Sequence, residues 1–145
     1  MQRTATLVAG VVVLGGALTA FSMQSAEERE VREALGHYLA GHATGDGAHH
    51  QMVFHPEAKL FFNRDGQFAT RTSADYIAGS PGKPAADEAQ RKRRIAVVDV
   101  TGDAAMAKVE LDYPTVFFTD YFTMLKIDGK WKIVNKTFHA RRKAS

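Results

Sequence analysis

The chain has 145 residues, enough for one core and too few for a second catalytic lobe. Apolar types make up 45% and charged types 24%, which argues against a disordered tail, a fibre or a polytopic membrane protein. With no cysteine, a disulfide framework, thiolate chemistry, an iron–sulfur cluster and cysteine-held zinc are all excluded; a net charge of +3 is too mild to imply a nucleic-acid partner.

Taken in chain order, the first segment reads as an address. Arg3 precedes an uncharged run from Ala5 to Phe21. Its apolar centre, Leu7 to Leu18, is about 12 residues long, short of the roughly 20 that span a bilayer. Residues 1–22 are expected to be a cleaved signal peptide, with an uncleaved anchor as the alternative, and residues 23–145 a single domain. The mature chain would be periplasmic or secreted and, once the signal is removed, free of the membrane.

Ser25-Ala26-Glu27-Glu28 matches a capping box, and Val31, Leu35, Leu39 and His42 follow at helical spacing, predicting a helix over Ala26 to Thr44. Gly45-Asp46-Gly47 stops it, and a short helix from Ala48 to Phe54 ends before Pro56. Lys59 to Asn63 and Gln67 to Arg71 flank Arg64-Asp65-Gly66, a hairpin signal. Ser73 can cap one or two helical turns over Ala74 to Ala78. Gly79 to Ala89, rich in glycine, proline and alanine, reads as a mobile connection. Four strands then follow with tight turns: Arg94 to Val100, Ala105 to Tyr113, Val116 to Ile127 and Trp131 to Ala140. Helices first and a meander last give an α+β domain, a cone-shaped curved antiparallel sheet covered by N-terminal helices.

The order of elements and several local strings resemble the nuclear transport factor 2-like superfamily, and within it the putative lumazine-binding family. The strings are Phe54-His55-Pro56-Glu57-Ala58, Val98-Asp99-Val100-Thr101-Gly102-Asp103-Ala104-Ala105, Leu111-Asp112-Tyr113-Pro114, Phe118-Thr119-Asp120-Tyr121, and Leu125 to Lys136. The resemblance runs from about Glu27 to His139. It implies a cystatin-like, cone-shaped fold with a cavity, and pairing of two copies through the sheet. The superfamily hosts isomerases, hydrolases and cyclases, so the fold alone assigns no reaction.

Strand alternation sends Phe118, Asp120, Phe122 and Met124 to one face and Thr119, Tyr121, Thr123 and Leu125 to the other. A carboxylate among aromatics on a cavity wall has the raised proton affinity of a general acid or base, which makes Asp120 the sharpest catalytic candidate. Its alternative is an ion pair with a lysine or arginine on a neighbouring strand. His55, at the expected cavity rim, is the second catalytic candidate. Phe118, Phe122, Tyr121, Asn135 and His139 are candidate ligand-binding residues, with Asn135, Thr137 and His139 expected to complete a polar floor beside Asp120. Of the tyrosine hydroxyls of Tyr38, Tyr76, Tyr113 and Tyr121, the last has the best claim. His49, His50 and His55 lack the helical spacing of a zinc site, so no metal and no cofactor is expected. Trp131 is expected in the core. The basic runs Arg91 to Arg94 and Arg141 to Lys143 are expected as a solvated strand edge.

Three functions fit this reading: a domain that binds a small apolar or heteroaromatic ligand; a cofactor-independent acid/base enzyme of isomerase, hydratase or cyclase type; and a dimeric interaction domain with no ligand.

Overall fold

The structure, a computed structural model, describes residues 25–144; the expected signal peptide lies outside them. The first helix, α1 (Ala26–Thr44), begins where the Ser25 hydroxyl accepts the Glu28 amide at 3.0 Å, with Glu27 and Glu28 in the positively polarised first turn. Val31, Leu35, Tyr38 and Gly41 form its buried stripe. It ends at Gly45, whose φ of 72° is the left-handed conformation glycine adopts at least cost. Asp46 then caps α2 (Gly47–Val53) by accepting the Ala48 amide at 2.8 Å.

The hairpin of β1 (Phe54–Arg64) and β2 (Gln67–Thr72) turns at Asp65 and Gly66, both with positive φ, the pattern whose twist suits a two-residue hairpin loop. A short helix α3 (Ser73–Ala78) follows. The expected mobile stretch beyond it is fastened instead: Ser80 donates to the Ile77 carbonyl at 3.0 Å, and Gly82 to the Gly45 carbonyl at 2.8 Å. The meander comprises β3 (Lys92–Thr101), β4 (Ala104–Asp112), β5 (Val116–Ile127) and β6 (Lys130–Arg142).

These strands make one curved six-stranded sheet in the order β2-β1-β6-β5-β4-β3. Every pairing is antiparallel except β1 with β6, because the chain leaves the hairpin for the far edge and the meander returns β6 beside β1. Register shifts between Ile95 and Val97 in β3, and at Val134 in β6, mark bulges that bend and twist the sheet. The core lies between α1 and the sheet, where Val31, Leu35 and Tyr38 meet Val109, Phe122, Met124, Trp131 and Ile133. Trp131 is buried there, its indole N–H donating to Glu30 at 3.3 Å. Much of the basic edge is drawn into ion pairs, Arg91 with Asp87 at 2.7 Å, Arg93 with Glu88 at 2.6 Å, Arg94 with Glu110 at 2.5 Å and Lys143 with Asp112. Among the described residues no helix is long and apolar enough to cross a membrane.

Candidate functional site

On the helix-covered face, β1, β4, β5 and β6 project Leu60, Phe62, Leu111, Phe118 and Phe138 around a cavity of about 180 Å3. Asp120 and Lys136 form its polar end, Tyr76 and His42 close it from the helices, and Arg64 and Arg71 from the hairpin also line it. A dry cavity of ~150 Å3 accommodates a benzene ring, so this space suits one six-membered ring with a short substituent.

The polar end is a buried ion pair. Lys136 Nζ lies 3.1 Å from Asp120 Oδ2 and donates to the Tyr38 hydroxyl at 2.5 Å, while Tyr38 donates to the same carboxylate oxygen at 2.6 Å. Asp120 is fully buried and Lys136 nearly so. The ammonium also faces the rings of Tyr38, Tyr76, Phe122 and Phe138, whose centroids lie 5.0, 5.3, 5.8 and 5.0 Å away. Burial pulls the Lys136 ammonium below its ordinary value, with the Asp120 charge opposing. It pushes the Tyr38 hydroxyl well up, helped by the neighbouring Asp120 charge. Asp120 Oδ1 has no hydrogen-bond partner.

From the pair a chain of hydroxyls runs to the helix end. Tyr76 reaches Tyr38 at 3.5 Å and His42 Nε2 at 2.9 Å; His42 Nδ1 meets Tyr113 at 3.2 Å; and Arg93 Nε donates to Tyr113 at 3.2 Å. One direction satisfies every donor: Arg93 to Tyr113, Tyr113 to Nδ1, Nε2–H to Tyr76, Tyr76 to Tyr38, and Tyr38 to Asp120. That assigns a neutral His42 carrying its proton on Nε2. Desolvation holds His42 well below the usual imidazole range, and the nearby charge of Lys136 adds to it.

His50 packs behind this chain, its ring centroid 5.4 Å from that of Tyr38 and 5.1 Å from those of His42 and Tyr76, the planes tilted or edge-on. Burial lowers it to about 4, opposed by a hydrogen bond to the Tyr38 backbone. Its imidazole lies so near Gly41 that a Cβ there would overlap it. Gly41→Ala is therefore expected to cost about 1–3 kcal/mol in urea denaturation, and the same change in a His50→Ala background to cost far less.

The sequence-predicted residues separate into two sets. Asp120 and Phe118 line the cavity, and Phe122 sits beneath it against Tyr38, with 4.9 Å between centroids. The placement of the others corrects the expectation. Asn135, Thr137 and His139 pair with Thr123, Tyr121 and Thr119, and so lie on the outer face with them. The cause is the bulge at Val134, which reverses the alternation of β6 and turns Lys136 and Phe138 inward in their stead. Tyr121 is 46% exposed on that outer face, and the cavity hydroxyl is Tyr76, with Tyr38 behind it. His55 does not line the cavity: Phe54 takes the buried position where α2 passes into β1, and His55 Nδ1 accepts the Glu57 amide at 3.1 Å. Lys136 and His42 are polar cavity residues that sequence reasoning missed, and Tyr76 was only one of four candidate hydroxyls. Among the described residues no three histidine or carboxylate side chains gather as a metal site.

A family model described as putative lumazine-binding matches residues 26–139. An aldolase, FrzH, from a Cladobotryum species is 31% identical over 108 residues, spanning 71% of this chain and 82% of that protein. A solved NTF2-like protein of unknown function from Shewanella baltica matches with a TM-score of 0.72 at 26% identity, covering 81% of this chain and 95% of that one. Another from Methylobacillus flagellatus gives a TM-score of 0.67 at 30% identity, covering 81% and 94%. A cystatin-like protein from Burkholderia xenovorans, 18% identical with a TM-score of 0.61 and covering 80% and 92%, shares the fold.

Proposed function

Because the chain belongs to the putative lumazine-binding family of the NTF2-like superfamily, we propose that its cavity takes a small one-ring carbonyl compound and moves a proton at the carbon beside the carbonyl. The observation that carries this reading is the buried ion pair of Asp120 and Lys136 at the end of a cavity whose walls are Leu60, Phe62, Leu111, Phe118 and Phe138. A domain that only held an apolar ligand has no need of two charges there, and burying them is costly.

Each group has a role. The Asp120 carboxylate, with Oδ1 unpartnered, takes the proton from carbon. The Lys136 ammonium and the Tyr76 hydroxyl, both lining the cavity, stabilise the charge that develops on the carbonyl oxygen. Phe62, Phe118 and Phe138 hold the ring and exclude water, which strengthens those interactions. The aldolase relative supports the choice of carbonyl chemistry, since an aldol step begins with the same proton removal.

Arg64 and Arg71 extend the reading to ligands with an acidic substituent. Arg71→Ala is expected to weaken binding of a ring ketone bearing a carboxylate by about tenfold, with turnover at saturation nearly unchanged. Export, and pairing of two copies across the outer sheet face, belong to the same proposal. The exposed Val97, Met106, Tyr121 and Leu125 on that face support the pairing.

The test is exchange of α-protons for deuterium, followed by NMR on a panel of cyclohexanones and acetyl-substituted rings. Exchange above the buffer rate is expected for at least one of them; exchange at the buffer rate throughout would contradict proton transfer.

A further inference from the structure

We propose that Lys136 is a covalent catalyst, joining the ligand's carbonyl carbon as an imine. The inference rests on the carbonyl reading above and deepens it. Three features of the site point to it. Lys136 lines the cavity at the end where Asp120 also lines it, so a carbonyl seated at that end lies beside this side chain. Its counter-ion, Asp120 Oδ2 at 3.1 Å, is also a proton acceptor. Lys136 is buried, with four aromatic rings and one hydroxyl around it. A lysine held in such a place gives up its proton more readily than one in solvent, and a desolvated lysine amine is the nucleophile of imine-forming enzymes.

The step balances within the pair. Lys136 passes a proton to Asp120, and the neutral amine adds to the carbonyl carbon, forming the C–N bond as the C–O double bond opens. The oxygen collects the proton from Asp120 and a second from the nitrogen, then leaves as water. The product is a protonated imine beside the Asp120 carboxylate. One positive charge and one negative charge are present before and after, so no charge is added to the apolar cavity. Asp120 then withdraws the α-proton from the imine, whose positive nitrogen accepts the electron pair, and an enamine results. No oxidant, metal or further reactant is needed. An arginine at position 136 would satisfy the ion pair yet could not perform this chemistry, which separates a covalent role from an electrostatic one.

The experiment treats the full chain with cyclohexanone and sodium cyanoborohydride, then maps the modified lysines by peptide mass spectrometry. One cyclohexyl group per chain is expected on Lys136, formed about tenfold or more faster than on the exposed Lys59 or Lys130. The Lys136→Arg variant, checked for folding by circular dichroism, is expected to lose that rapid phase. Labelling of Lys136 no faster than of the exposed lysines would overturn the inference. If the unmodified protein still exchanges α-protons in that event, the proton-transfer reading survives and only the covalent step falls; if exchange is absent too, both fall.

Discussion

Asp120→Asn is expected to slow α-proton exchange by about 10²–10⁴-fold, the usual contribution of a positioned base, and to destabilise the fold by about 3–5 kcal/mol. The second effect follows from the first residue's burial. Asparagine fits the space but leaves the Lys136 ammonium uncompensated among Tyr38, Tyr76, Phe122 and Phe138. Lys136→Met should cost a similar amount, since it strands the carboxylate with Tyr38 as its remaining donor. The double variant removes both charges and fills the cavity end with an apolar chain. It should therefore be more stable than the sum of the singles predicts, by about 2 kcal/mol or more in urea denaturation. Additive losses would mean that the two side chains do not depend on one another, and the catalytic pair would lose its basis.

Acidification should unfold the protein earlier than its carboxylates alone require. His42 and His50 are held neutral in the fold, His50 at about 4, against an ordinary value of 6.5. Between those values the unfolded chain binds protons that the folded chain refuses, so stability falls as pH falls through that window. Each histidine contributes a slope approaching about 1.4 kcal/mol per pH unit, and the two together should remove about 2–4 kcal/mol between pH 7 and 5. The carboxylates Glu30, Glu88, Glu110 and Asp112, lowered by their basic partners, lose their contribution only as pH drops below their unfolded values of 4.5 and 3.8. The window above pH 5 thus belongs to the histidines. Urea midpoints measured from pH 7 to 5 should show the slope, and His50→Phe, which keeps a ring against Gly41 while removing the titration, should reduce it by about half. A flat profile in the unmodified protein would contradict the neutral, buried assignment of both histidines.

How much of this was legible in the chain can be traced residue by residue. Ser25, Gly45 and the Asp65-Gly66 turn act locally, so capping and turn chemistry located α1 and the hairpin directly. Asp120 was legible as a candidate because Phe118 and Phe122 flank it at the spacing of one strand face. It lines the cavity and also pairs with a lysine of the adjacent strand. Lys136 was not legible, since alternation counted from Trp131 and Ile133 places it outside. One signal was available: Ile133 and Phe138 are both apolar yet of opposite parity, which a regular strand cannot bury on one face. A bulge between them resolves the conflict, and the structure has it at Val134. Tyr38 and Tyr76 were named as candidate hydroxyls, but their convergence with His42 was out of reach for a different reason. Their meeting with Asp120 depends on how α1 and α3 lie over the sheet, and separations as long as 82 residues leave no local trace.

The central claim is that charged and hydroxyl groups meet the ligand's oxygen inside an apolar cavity. The most direct test compares the affinities of cyclohexanone and methylenecyclohexane, which differ in the oxygen alone, by ligand-observed NMR. A hydrogen bond to a charged group is worth about 1.5–3 kcal/mol, so the ketone should bind about tenfold to a hundredfold more tightly. Equal affinities, or no binding of either compound, would contradict the account.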